Sequence, residues 1–553
     1  MSRIYRIPAI LFSVWCLLSI GGFLFGQSGV YDRVGIIAAH GSHGSLPEEN
    51  IDLFTGNVTL QYRDVYLPGP NGLDVEVWRV YNSKILKDWQ SGQPGVQAYH
   101  QSWVGIGWTM HMGMVHQETS STPVIEFPDG RLETAYVDKY DVYNKHLTRD
   151  FLKYDKDSHK LYFQNGVIWT FGAIAIITRA DGSSDPVRLV TRIENSFGHY
   201  IVVAYNLGTP TLKTITDSFG RLITFTSSGS PRKLTQISLK DAIGGNKVLY
   251  YSVGTFTNGY TKLNTFQPPC LPSTVFEYNS GSSNYYELKK LTTSYGGVLE
   301  YSYDNHAFFF NGIQINSRVL LQKKITFNPG DQPSIWNYSY PDYNGTITGI
   351  VNVQGPAYDT DVTYNAYDPT CAWKIGTINA LEYEDSSHSE TYDWTFQEIS
   401  NQTWSLLGTN MGTAKGPLLS SVTRHREGNA SLKEEYLYED TPSKRYGLPS
   451  KTLHYVNGYD SPLNYKTTLY YFGSRPSYEQ RFLLTLPSVE REYSGDGTKL
   501  KEKVTLYYEE SGKWGATQQV RIWKEGSYSD WNHIYTPLDP QGKRIQFSVH
   551  GPV

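Results

Sequence analysis

The sequence predicts an all-β fold, an array of β-hairpins wound into a curved sheet, and three observations lead there. The chain of 553 residues carries 44 Tyr, 50 Gly and 27 Pro, with aromatics at 14% and charged residues at only 18%, a mixture that suits many short strands joined by tight turns. Its length exceeds the roughly 250–300 residues at which one core stops growing, so several domains or an extended array is required. A hairpin-like unit also recurs within the chain.

The N-terminus reads as an address. Arg3 and Arg6 precede the apolar run "IPAILFSVWCLLSIGGFLF", and "GQSG" follows, the order of a secretory signal ending near residue 26. The run is longer than the usual ~7–15 residues, and Leu24 is bulky for a position three before the cut, so an uncleaved membrane anchor is the competing reading. Cys16 lies inside the run without small residues ahead of it, which argues against lipid attachment. Residues 27–48 form a Gly/Ser/His linker in which His40 and His43 of "HGSHGS" are expected to be solvated rather than metal-bound. Past the signal stand only Cys270 and Cys371, an even pair that an oxidising compartment could close into one disulfide; two isolated buried thiols is the alternative.

The repeat is visible when "RLVTRIENSFGHYIVVAYN" (188–206), "TLKTITDSFGRLITFTSS" (211–228) and "ELKKLTTSYGGVLEYSYD" (287–304) are aligned on Gly198, Gly220 and Gly296. Val190, Leu212 and Leu288 then coincide, as do Ile193, Ile215 and Leu291. After the glycine, Ile201 and Val203 match Ile223 and Phe225, and Leu299 and Tyr301, with more polar or smaller residues between them. Alternation of this kind assigns one set to a single strand face. Asn195 and Asp217 can bond their own backbone to start a turn, the aromatic before the glycine can cover it, and glycine adopts positive φ cheaply. "FQNGVIWTFGA" keeps the phase through Trp169 and Phe171, whereas Glu133 and Ala135 of "FPDGRLETAY" break it. "SIWNYSYPDYNG", "EEYLYEDTPS", "TTLYYFGS" and "VTLYYEESG" extend the strand pattern toward the C-terminus. Units of this size cannot bury a face alone and must stack on neighbours.

These residues resemble the RHS or YD-repeat family, "ITDSFGRLITFT" being similar to one YD unit. A more specific resemblance lies in "NIDLFTGNVTLQYRDVYLPGPNGLDVEVWRVYNS" (50–83) followed by "SWVGIGWTMHMG" (102–113), where a strand pair about a Pro-Gly turn leads to Tyr81, Asn82 and Ser83, and then to Gly105, Gly107 and Trp108. That pairing is similar to the amino-terminal shell region of Tc-toxin B-type and wall-associated RHS proteins. The resemblance covers residues 45–330 well and the rest in style. It implies a sheet wound into a hollow, cocoon-like shell, complete or partial, that encloses a toxic passenger or makes contacts at a cell surface. Its implied partner is a companion RHS or toxin chain, or a cell-surface receptor. Toxin-carrying members end in an aspartate-rich self-cleaving core; here only Asp539, Pro540 and Gly542 stand near the terminus, and they read as a plain turn, so no catalytic residue is carried over and no passenger is expected after Val553.

Other function classes weigh less. The formal net charge of -4 comes from interspersed charges without the Lys/Arg block that phosphate backbones select, so nucleic acid is not an expected partner. No H-E-x-x-H, G-x-S-x-G or P-loop occurs, and no cofactor is called for. His111 and His116 of "MHMGMVHQE", followed by Glu118, would face opposite sides of one strand, against a shared ligand site. The carboxylates of "YEDSSHSE" (383–390) could serve a glycoside hydrolase but read as a solvated loop. The better alternative is an adhesin or carbohydrate-binding β protein using the 13 Trp and 44 Tyr as stacking platforms, although aromatics at period two more often pack a sheet. The expected organisation is a signal over 1–26, a linker over 27–48, an amino-terminal β region over 49–180 and a degenerate repeat array over 181–553 of a secreted or cell-surface protein, with the membrane touched only through an uncleaved leader.

Overall fold

The computed structural model describes residues 31, 35–41, 43–84, 102–116, 118, 122–141, 145–178, 184–240, 244–257, 259–279, 286–384, 388–426, 430–456 and 461–524. The expected signal over 1–26 and the Asp539–Gly542 turn lie outside them.

A small antiparallel sheet opens the structure: β1 (Glu49–Asp52), β2 (Asn57–Leu67), β3 (Val75–Asn82) and β4 (Trp108–Thr109), in that order. The β1–β2 turn forms because Asp52 Oδ1 accepts the N–H groups of Phe54 (3.0 Å) and Thr55 (3.1 Å), and Gly56 takes φ +71°. The β2–β3 turn is the expected Pro-Gly one, with Asp74 Oδ1 accepting the Gly69 N–H at 2.7 Å.

The remaining 31 strands make one antiparallel sheet. From Tyr136–Val137 to Thr517–Lys524 each strand pairs with its chain neighbours, while Met114–His116, with two short strands after it, attaches beside Ser184–Glu194. The sheet is curved without closing into a barrel: among the described residues no ladder joins its two ends. The expected division near residue 180 is not a sheet boundary, since strands from Met114 onward already belong to this sheet.

The repeat phase holds in three dimensions. Ile201, Val203, Ile223, Phe225, Leu299 and Tyr301 are all buried strand residues, as are Val190, Leu212, Leu288, Ile193, Ile215 and Leu291. Gly198, Gly220 and Gly296 have φ of +84°, +80° and +87°. Two details differ from the sequence reading. Phe219 and Tyr295 do not cover their turns but are 58% and 80% exposed; the Phe219 turn is held by Asp217 Oδ1, which accepts the N–H groups of Phe219 (3.0 Å) and Arg221 (2.9 Å). Glu133 and Ala135 do not break the phase: both are fully buried, and the Glu133 carboxyl takes an inward position in contact with Arg131.

The inner face of the sheet is covered as far as the strand Thr409–Arg426, whereas Asn464–Tyr470 and Pro487–Ser494 have no buried side chain. Contacts to the N-terminal segment advance along the wall in chain order: Leu234 N–H to Trp103 O (2.8 Å), Ile106 N–H to Thr261 O (2.9 Å), Leu288 N–H to Tyr81 Oη (2.7 Å), Lys84 Nζ to Ser317 Oγ (2.7 Å), Leu320 N–H to Gly56 O (3.1 Å) and Tyr364 Oη to His40 O (2.8 Å). The wall therefore wraps about β1–β4, and one apolar cluster runs from Tyr31 to Trp514. Where residues Leu234 to Tyr364 line it, the interior of the curved sheet is occupied by β1–β4 and their flanking segments.

Two glycines separate backbone strain from packing. At Gly220 an added Cβ meets open space, so Gly220→Ala should cost about 1 kcal/mol through its positive φ alone. At Gly105 (φ +119°) the same atom falls 2.5 Å from Leu263 N, so Gly105→Ala should cost several times more and loosen the wall from β4; denaturant unfolding of both variants checks the ranking.

Candidate functional site

The residues that carried the family resemblance tie the N-terminal unit together and, through Arg79 and Trp108, to the wall. Asn82 Oδ1 accepts from Gly35 N (2.7 Å), Asn57 Nδ2 (3.1 Å) and Thr59 Oγ1 (3.1 Å), and Ser83 Oγ accepts the Val58 N–H at 2.8 Å. Trp108 donates its Nε1–H to Tyr278 Oη at 2.8 Å. Arg79 is buried against Asp64, to which it donates two bonds (2.9 and 3.1 Å), and its guanidinium lies 4.4 Å from the Phe266 ring centroid on the wall. Each of these groups is a buried polar fastening.

Two charged clusters lie deeper. His111 and His116 were expected on opposite faces; instead Gly113, at φ +112°, breaks the strand between them and both imidazoles reach Glu126, His116 Nε2 at 2.7 Å and His111 Nε2 at 3.2 Å. His111 Nδ1 accepts the Gly113 N–H at 3.0 Å. Burial would push the Glu126 carboxyl up, but the His111 and His116 contacts overcome it and hold it at about 2. In the second cluster Arg131 Nη1 touches both Glu133 and Asp150. There burial wins: the Glu133 carboxyl, also facing Asp150, is pushed well above the ordinary carboxylate range. Glu133 is the interior acid that a strict apolar pattern misses; its period-two position after Gly130 was the available signal.

Among the described residues no group of three or more His, Cys, Asp or Glu side chains is placed to hold a metal. A cleft of about 400 Å³ opens where the 43–45 segment meets the wall, bordered by His43, Ser45, Lys323, Trp336, Tyr358 and Tyr383. His43, read as solvated, is instead packed there, and burial, opposed by Asp52, pulls its imidazole down to about 4. His40 is likewise buried, 2.8 Å from Asp52 Oδ2. The Lys323 ammonium is neutralised by Glu49 Oε2 at 2.6 Å and lies 4.5 Å from the Trp336 ring centroid.

The turn residues Asn195, Gly198, Asp217, Gly220 and Gly296 lie along one rim of the sheet, where they shape hairpins and do not converge. Cys270 and Cys371 are both free: Cys270 is exposed and Cys371 half-buried, on turns at opposite rims, so neither the disulfide nor the pair of buried thiols is formed. Of the acidic loop, Glu390 lies 3.4 Å from Arg424 and accepts from Tyr392, while residues 385–387 fall outside the described ones.

Residues 48–134 match the family model of DUF6531, a domain of unknown function. The match spans β1–β4, the Tyr81–Ser83 triplet and the His111–Glu126–His116 cluster. No curated protein matches the chain. The crystal structure of TcdB2–TccC3–Cdc42 aligns with 86% of this chain and 30% of its own, at 10% identity and a TM-score of 0.23. TcdB2–TccC3 without its hypervariable C-terminal region aligns over 90% and 33%, at 10% identity and 0.22. A porin-like protein from Bacteroides uniformis aligns over 63% and 94%, at 9% identity and 0.11. The chain thus spans 30–33% of the length of those two TcdB2–TccC3 chains, and superpositions this loose establish nothing about its activity.

The two clusters respond oppositely to pH. Glu126 is depressed in the folded state, so its stabilisation is present above the unfolded carboxylate value of about 4.3 and is lost as pH falls toward 2; Glu126→Gln should lower the unfolding free energy by about 2–3 kcal/mol at pH 7 and converge on wild type in acid. Glu133 is raised, so its favourable neutral form is fully present below about 4.3 and is lost as pH climbs through the folded value; Glu133→Gln should match wild type in acid and exceed it at alkaline pH. Urea titrations at stepped pH read both.

Proposed function

We propose that the chain is an exported, non-catalytic shell or scaffold of the RHS/YD-repeat kind, part of a toxin-enclosing or cell-surface interaction system. The wrap carries this reading. One sheet encloses the chain's own N-terminal unit, and the inward charged groups are paired with one another, Arg79 with Asp64 inside the unit, His116 with Glu126 and Arg131 with Asp150 inside the wall, and Lys323 of the wall with Glu49 of the unit, which suits holding a shape more than turning over a substrate. Among the described residues Thr517–Lys524 is paired on one side only, and the free N–H and C=O groups of such an edge recruit a further strand. The partner we propose is a companion chain carrying more hairpin units.

A second reading, a sugar-binding surface protein, is favoured by the cleft. With Lys323 already neutralised by Glu49, its lining offers no free cation, and Trp336, Tyr358 and Tyr383 supply ring faces.

Two measurements test the proposal. A reporter fused after residue 40 should leave the cytoplasm, and its retention there would contradict export. Light scattering of the purified chain mixed with a companion array should give the mass of a complex. A monomer indifferent to the companion but titrated by an oligosaccharide, with the response lost in Trp336→Ala, would select the sugar reading; hydrolysis abolished by changing one acidic pair would make the chain an enzyme.

A further inference from the structure

Beside segment 43–45 the cleft is floored by one row of cross-strand neighbours on the wall. Tyr338 lies opposite Val353, Val353 opposite Thr360, and Thr360 opposite Tyr383, with Trp336 two residues before Tyr338 and therefore on the same face. The floor is apolar at Val353, and a tyrosine stands at either end of the row. Tyr358 closes the cleft from the turn at 355–358: its ring centroid is 5.6 Å from that of Tyr383, at an interplanar angle of 72°, so the two rings make a corner. Tyr358 is 54% exposed, whereas Tyr338, deeper in, is 7% exposed.

Charge and hydrogen bonding are balanced differently here. Lys323 is fully engaged, its ammonium donating to Ser45 Oγ and Glu49 Oε2, both at 2.6 Å. Burial draws the His43 imidazole down to about 4, so it too is neutral at pH 7. The lining thus carries no unpaired charge. Its hydrogen-bonding groups, in contrast, are open: among the described residues nothing pairs with His43 Nε2, with the Trp336 indole N–H or with the hydroxyls of Tyr338, Tyr358 and Tyr383. The indole edge is uncovered because residue 355 is glycine. A Cβ there would stand 3.6 Å from Trp336 Nε1, and it would strike Tyr358 O at 2.6 Å.

We infer that the cleft takes one ring of a neutral saccharide, with Tyr358 and Tyr383 against the ring and Tyr338, Trp336 and His43 bonding its hydroxyls; this deepens the sugar reading of the proposed function and rests on it. A pyranose presents an apolar C–H face together with several hydroxyls, each able to donate and to accept, which matches ring faces beside unpaired polar groups. An aromatic side chain from a partner protein would fit the same corner, but a phenol brings one hydroxyl and an indole one N–H, too few for the groups that wait there. Charge selects among sugars. A uronic acid would bring its carboxylate to a lining whose ammonium Glu49 already holds, and an amino sugar would bring a second cation to a carboxylate that Lys323 already occupies. The volume of about 400 Å³ lies within the range of small-ligand sites.

The experiment titrates the full chain by calorimetry with neutral trisaccharides of glucose, galactose and mannose, with trigalacturonate and with triglucosamine. At least one neutral trisaccharide should bind, about tenfold or more tighter than either charged one. Tyr338→Phe and Trp336→Phe each keep a ring and delete one hydrogen-bonding group, and each should weaken the neutral sugar about three- to tenfold. Tyr295→Phe, at an exposed tyrosine on another turn, should change nothing. Trp336 also packs on Lys323, so if its variant unfolds, Tyr338→Phe alone decides. Neutral and charged sugars bound alike, or neutral binding untouched by the hydroxyl and indole deletions, overturns the inference while the sugar reading stands on the loss in Trp336→Ala. No saccharide bound at all removes that reading and the inference with it. A tyrosyl or tryptophyl tripeptide bound at least as tightly as the best neutral trisaccharide makes a protein side chain the occupant and also overturns the inference.

Discussion

Strand after strand between Ile193 and Val422 carries its large apolar side chains inward, and that continuous face must be kept from water as a whole. Each strand adds a right-handed twist, and open sheets beyond about ten strands rarely stay flat. The available solutions are a second sheet or a curl about something already folded. This chain takes the second: β1–β4 and the segments flanking them supply Phe54, Val58, Tyr81 and Trp108 to the same cluster as Ile215, Leu291 and Tyr364 from the wall. With the inner face covered, the strand alternation, the one-sided burial and the placement of turns at two rims follow as consequences.

Apolar burial is non-directional, so by itself it would let the wall slide over its filling. The buried polar contacts remove that freedom. Tyr81 Oη meets one backbone N–H, that of Leu288; Lys84 Nζ reaches Ser317; Arg79 is held by Asp64 while lying against Phe266. A one-residue slip would leave Tyr81 and Lys84 buried without these partners, at roughly 1–3 kcal/mol apiece and more for the charged one, and would move Phe266 away from Arg79. Placing such contacts from Trp103 against Leu234 to His40 against Tyr364 fixes the register of a long wall more firmly than any single strong interaction would.

The wall was legible in the sequence because its determinant is local. Ile223 and Phe225 alternate with Thr224 and Thr226, and Asp217 and Gly220 set the turn, all within one short stretch. The filling was legible only through the Tyr81–Ser83 and Gly105–Trp108 residues, and what they would touch was not, since Tyr278 and Leu288 stand far away in the chain. Glu133 was misread as a break in phase because a pattern of apolar residues has no place for an inward acid, and whether one is tolerated depends on Arg131 and on Asp150 from a different strand connection. The separation of His111 and His116 failed for a different reason: a strand was assumed to run through Gly113, which at φ +112° stands outside the strand that begins at Met114.

The winding also bears on why the repeat is degenerate. In a straight solenoid every unit meets an identical neighbour, so a strict period is favoured. Here the turns at 148–152, 163–167 and 195–199 each meet one that, counted among the described residues, comes twenty-one strands later, and such hairpins must suit both their ladder neighbours and the turn that lands on them. Gly447 must leave room for Phe151, and the turn at 508–516, whose Gly515 lies beside Ser196, departs from the Asn-x-aromatic-Gly pattern of the 195–199 turn it covers. Degeneracy in this array is therefore position-specific: the unit keeps its alternation, which every wall strand needs, and varies its turns, where the next winding lands.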